Sequence, residues 1–174
     1  ENSMKRALAV LAIMMMLGLF VGCAATDSEM DMGSDTASNE LEVTGVWGRN
    51  SPMSAPNGAF YMTIVNNTDK DEQLLSAAAD VCATVELHEM YMMENDAMGM
   101  RPVAGGVIPI PAGQTVELKV GGLHVMCIDK TRALEAGEEI PVTLQFANAG
   151  EMVVNAEIRE EAPEGEMNME GMGG

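Results

Sequence analysis

Between residues 41 and 160 the chain is cut into short runs in which apolar and polar side chains alternate or β-branched residues cluster, each run bounded by turn formers. A period of two is the signature of a strand with one buried face. Such runs, recurring about every dozen residues, describe an all-β sandwich or barrel. The expected strands are 41–47, 59–66, 83–90, 115–120, 124–129, 140–146 and 152–158. Asn66-Asn67-Thr68-Asp69, Pro111-Ala112-Gly113, Gly121-Gly122 and Ala149-Gly150 supply turns. No stretch combines the length and period of an amphipathic helix. Trp47, the only tryptophan, is expected as a core anchor.

The flanks read differently. Lys5 and Arg6 precede an apolar run, residues 7–21, that ends at Gly22-Cys23. A charged start, a short apolar centre and a small-residue exit make a secretory signal, and the run is shorter than the roughly 20 residues a membrane-spanning helix needs. Phe20-Val21-Gly22-Cys23 resembles a bacterial lipobox. Residues 1–22 are therefore expected to be a lipoprotein signal peptide and Cys23 the lipidated new N-terminus. That places the protein outside the cytoplasm, in the periplasm or on the outer face of the cytoplasmic membrane, held by a lipid anchor. Residues 23–40 and 161–174 are polar, Gly- and Met-containing segments without apolar periodicity, expected as a flexible tether and a Met-rich disordered tail. Without residues 1–22 the chain has 26 acidic against 7 basic residues, a net charge of −19. Nucleic-acid phosphates reward Lys and Arg, so this balance argues against such a partner. It suits a solvated surface or a field that concentrates cations.

Methionine is the outlier, with 18 residues, of which 14 lie beyond the leader. Thioethers commonly fill core gaps, yet many here stand among acids and glycines. Both histidines sit beside methionine, in His88-Glu89-Met90 and His124-Val125-Met126. Residues two apart on a strand share a face, so His124 and Met126 can offer an imidazole and a thioether to one point. Met98-Gly99-Met100-Arg101-Pro102 lies between the histidine strands, after a polar turn that can bring Met100 near His88 on a hairpin. Soft thioethers select Cu(I), and imidazole suits copper in either oxidation state; zinc favours thiolates or harder donors. Glu89 can orient the His88 imidazole. No Ser/His/Asp order, nucleophile elbow or phosphate loop is present, which speaks against an enzyme. Cys82 and Cys127 form an even pair in an exported domain, a disulfide candidate. By strand parity Cys82 is in phase with His88, and Cys127 is out of phase with His124 and Met126. His88, His124, Cys127 and a methionine formally also make the set of an electron-transfer cupredoxin, but Cys127 directly follows Met126 and so faces away on a regular strand.

Val43-Thr44-Gly45-Val46-Trp47-Gly48-Arg49, Gly58-Ala59-Phe60-Tyr61-Met62-Thr63, Val85-Glu86-Leu87-His88-Glu89-Met90, Met98-Gly99-Met100-Arg101-Pro102-Val103, Ile110-Pro111-Ala112-Gly113 and Gly121-Gly122-Leu123-His124-Val125-Met126 together resemble the PCuAC family of periplasmic copper chaperones. The resemblance spans nearly all of residues 41–160. It implies a cupredoxin-like Greek-key β-sandwich that holds Cu(I) through His88, Met100, His124 and Met126. It also implies delivery to a copper-accepting protein, the dinuclear centre of cytochrome oxidase subunit II being the family's acceptor. Eleven residues separate His88 from Met100 and twenty-three separate Met100 from His124, where the family has about ten and about twenty-one, differences that surface loops absorb. Met98 stays open as a substitute for Met100, and Met90 as a further alternative ligand. Met92 and Met93 read as core or rim. Copper buffering or resistance is the rival function, favoured by Met30, Met32, Met167, Met169 and Met172 in the tails.

Overall fold

The computed structural model describes residues 40–94 and 96–161. The leader, Cys23, the tether up to residue 39 and the tail beyond residue 161 lie outside them. The described residues form ten strands: β1 (Leu41–Arg49), β2 (Gly58–Asn66), β3 (Glu72–Ala78), β4 (Cys82–Met92), β5 (Met98–Pro102), β6 (Ile108–Ile110), β7 (Thr115–Leu118), β8 (His124–Lys130), β9 (Glu139–Phe146) and β10 (Glu151–Arg159). Their order across the hydrogen-bonded path is β5-β4-β8-β2-β1-β10-β9-β3-β6, and β7 pairs with the far half of β2. Only β1/β2, β4/β5 and β9/β10 are neighbours both in sequence and in space. The remaining connections cross over, as in a Greek-key β-sandwich.

The path folds back so that its two halves share one core. Phe60, Leu87, Val125 and Cys127 from one half meet Leu74, Ile110, Val142, Leu144, Phe146 and Ile158 from the other in a single apolar cluster. The alternation explains which residues these are: along β9 Ile140, Val142, Leu144 and Phe146 are buried while Glu139, Pro141 and Thr143 are not. Burial of this apolar area at about 25 cal/mol per Å² is the main stabilising term.

A bulge in β1 decides what stands on the outer face. The register runs Thr44↔Thr63 and then Trp47↔Tyr61, one residue being inserted between them, with Gly45 at φ +59°. A glycine in the left-handed region takes such a bulge without the Cβ clash of other residues. The slip turns Trp47 to the same side as Tyr61, and their rings stack at 4.6 Å. Trp47 is thus buried as expected of an anchor, but it packs against Tyr61 on the outer face and is not part of the apolar cluster between the two halves.

Candidate metal centre

Strands β5, β4, β8, β2 and β1 run side by side, and every second residue projects from the face opposite the core. Across this face His88 lies directly opposite His124, Met90 opposite Met100, and Glu86 opposite Met126. The two imidazole rings are 5.8 Å apart, centre to centre. Tyr61, on the adjoining β2, stands 6.3 Å from the His124 ring and backs it. His88, His124 and Met126 are buried, at 9%, 4% and 8% exposure, whereas Met100 is 47% exposed. Three of the four candidate donors are therefore buried, and Met100 stands exposed beside them. A cleft of about 340 Å³ opens here, lined by Arg49, Tyr61, Met90, Met100, His124 and Met126.

The hydrogen bonds fix which nitrogen each imidazole has left over. His124 Nδ1 lies 3.1 Å from the Gly122 carbonyl. A carbonyl only accepts, so Nδ1 carries the proton and Nε2 presents a lone pair. That Nε2 is 3.1 Å from Met100 Sδ. In that tautomer two electron-pair donors lie close enough to share one cation. The Gly122 carbonyl also accepts from the Met90 backbone N–H, tying the turn before β8 to β4. Burial holds the His124 imidazole below its ordinary pKa of 6.5, and the nearby His88 adds to this against the Gly122 hydrogen bond, so the ring favours the neutral form that a metal requires. His88 uses its other nitrogen: Nε2–H donates to Glu86 Oε2 at 2.8 Å, and Nδ1 is buried with no hydrogen-bond partner. An orphaned buried acceptor is rare and calls for an explanation.

The opposite face of the hairpin sets β5 in register. Arg101 Nε donates to Glu89 Oε1 at 2.8 Å while its guanidinium lies 4.4 Å from the Tyr91 ring centre. The Tyr91 ring covers Gly99, where a Cβ would meet it at 2.9 Å. These contacts hold Met100 opposite Met90.

Several sequence expectations change here. Glu89 does not orient His88, because adjacent strand residues face opposite ways; it pairs with Arg101, and Glu86, two residues before His88, supplies the carboxylate. Tyr61 was not singled out, although it is out of phase with the buried Phe60, Met62 and Ile64 and so had to face the histidines. Met98 pairs with Met92, one register row beyond Met90 and Met100; Met90 joins the lining of the cleft, and neither Met98 nor His88 does. Cys82 and Cys127 are joined in a disulfide. Cys82 does not keep the phase of His88: Ala83 and Thr84 are both exposed, the alternation of β4 breaks at its first residues, and Cys82 packs against the core beside the fully buried Cys127. Cys127 therefore offers no thiolate to a blue-copper site. Among the described residues no three His, Cys, Asp or Glu side chains converge as a metal set, which leaves the mixed imidazole and thioether group as the candidate.

Fold and site together define a β-sandwich with a cluster of methionine and histidine side chains on one outer face. The family model described as "Putative lipoprotein LpqE-like" matches residues 41–158, and the chain belongs to this LpqE-like family. A "Putative lipoprotein" of Leifsonia xyli subsp. xyli is 30% identical over 158 residues, covering 89% of each chain. Among solved structures, the apo PCuAC domain from PmoF1 is 28% identical, with a TM-score of 0.57 over 71% of this chain and 94% of that one. CuI-DR1885 from Deinococcus radiodurans is 27% identical, with a TM-score of 0.55 over 74% and 86%. The copper-bound PCuAC domain from PmoF2, at 24% identity and a TM-score of 0.57 over 71% and 93%, shares the fold.

Proposed function

We propose that the protein is an extracytoplasmic Cu(I) metallochaperone, lipid-anchored through Cys23, that carries one cuprous ion on His88, Met100, His124 and Met126 and passes it to a recipient. The observation that carries this reading is the approach of His124 Nε2 to within 3.1 Å of Met100 Sδ while Nδ1 is engaged by the Gly122 carbonyl. The orphaned Nδ1 of His88 supports it, as does the likeness to CuI-DR1885.

Two imidazoles and two thioethers are neutral, and the soft thioethers favour Cu(I) over Cu(II) and over harder ions. Neutral donors also release their ion without separating unlike charges. Met100, half-exposed at the rim, is the ligand an incoming acceptor exchanges first, and the buried His88, His124 and Met126 follow. The recipient proposed is the dinuclear copper centre of a cytochrome oxidase. Mixing the Cu(I)-loaded protein with the copper-free soluble domain of oxidase subunit II, then separating the two by ion exchange, should find copper on the acceptor. Retention of copper on the donor at equimolar ratio would favour buffering instead.

A further inference from the structure

We propose that the β4–β5 hairpin carries a second soft-metal site, formed by the thioethers of Met92 and Met98, with Met90 and Met100 as the step between it and the histidines. The inference takes its cargo from the Cu(I) reading above, but its two terminal ligands are separate residues. The register places Met92 opposite Met98 and Met90 opposite Met100, with His88 opposite His124 as the next row on the same face. Directly opposed side chains on a sheet have Cβ atoms about 4.5–5.5 Å apart, close enough for two flexible thioether arms to meet at one ion. Successive rows are about 7 Å apart, two residues of strand rise.

Core filling does not account for these methionines. Met92 is 54% exposed, Met98 47% and Met100 47%, and they are three of the six large apolar side chains exposed among the described residues. All three sit on one face of one hairpin, while the other face of the same segment is closed by Tyr91, Arg101 and Glu89. The exposed face thus offers a row of neutral sulfur donors from solvent to the cleft. A thioether pair discriminates for Cu(I) by softness. An ion bound at Met92 and Met98 moves inward by gaining Met90 or Met100 before it loses an outer ligand, so no step leaves it bare. Two thioethers bind less tightly than two thioethers and two imidazoles, so the inner centre fills first.

Methionine ε-methyl NMR on the processed full-length protein, labelled with ¹³C-methyl methionine and titrated anaerobically with Cu(I)–acetonitrile, reads each row separately. Single Met-to-Leu variants assign the resonances. The first equivalent should move Met100 and Met126, and the second should move Met92 and Met98 together. In Met92→Leu the second event should weaken about tenfold or more, while the first keeps its affinity. If the first equivalent leaves Met100 and Met126 unmoved, the Cu(I) reading itself fails. Should Met100 and Met126 respond while Met92 and Met98 stay unmoved through excess metal, the hairpin site is overturned and the inner centre stands.

Discussion

His88 and His124 face each other across two strands yet keep different ring nitrogens free, because Glu86 takes Nε2 of one and the Gly122 carbonyl takes Nδ1 of the other. The protein therefore orients both rings before any metal arrives. Outer partners of ligating histidines typically account for about 10–100-fold in metal affinity. Glu86→Gln should accordingly lower Cu(I) affinity within that range, whereas Glu89→Gln, whose partner is Arg101 on the opposite face, should change it less than about threefold. Competition with a chromogenic Cu(I) chelator measures both, and equal losses in the two variants would refute the assignment of Glu86. By the same titration Met100→Leu should weaken binding about tenfold or more and Met98→Leu far less, since only Met100 reaches His124. Strand spacing put His124 and Met126 on one face, and the fold brings His88 and Met100, which the family resemblance added to them, to that same face. The carboxylate that orients His88 was legible too, by counting in twos, but adjacency in sequence suggested Glu89 instead. Tyr61 and Trp47 could be paired only once the bulge at Gly45 was known.

At the level of elements, seven runs with clear alternation are strands, and three strands lacked that signal. Glu72–Ala78 is rich in Ser and Ala, which have weak strand preference, and a register shift after Leu74 breaks its period. Met98–Pro102 and Ile108–Ile110 contain Pro102 and Pro109 and lie at the two ends of the sheet path, where proline is tolerated because a neighbour is lacking. Two predictions belong to this scale. The Cys82–Cys127 bridge joins β4 to β8, the strands that bear both histidines, across a sequence separation of 45. Closing a loop of that size stabilises by about 4 kcal/mol on the chain-entropy model, so the Cys82→Ala/Cys127→Ala double variant should unfold at markedly lower guanidinium concentration. An unchanged midpoint would contradict it. The buried Glu72 at the head of β3 accepts from the backbone N–H groups of Gln73, Asn148 and Ala149. Burial alone would raise its pKa, but these hydrogen bonds hold it below the ordinary 4.5. A depressed carboxylate contributes stability that is complete above the unfolded value and is lost as pH falls through the folded one. Glu72→Gln should therefore flatten the stability curve below about pH 4.5 and cost about 1.5–3 kcal/mol at neutral pH, the scale of hydrogen bonds to a charged group. Denaturant midpoints across pH 3–7 would test this, and an acid limb as steep as that of the parent protein would count against it.

For the molecule as a whole, the domain begins with β1 at Leu41, eighteen residues after Cys23 if the chain is processed there. If, as proposed, Cys23 carries a lipid anchor, the domain is kept at the membrane, and its effective concentration toward a membrane-bound acceptor exceeds that of a released form. The proposed ligands lie on β4, β5 and β8, all within the described residues. Cys23→Ala should then move the protein to the soluble fraction, or block its processing, and leave Cu(I) affinity unchanged. Copper loading of a membrane-bound recipient should fall about tenfold or more at equal protein level, because the encounter becomes bimolecular. Fractionation, chelator competition and recipient copper content measured on the same cells separate these effects. A Cys23→Ala protein that remains membrane-bound with normal cleavage would remove the anchor from the mechanism, whereas full recipient loading by the released form would show that delivery depends on the docking face alone.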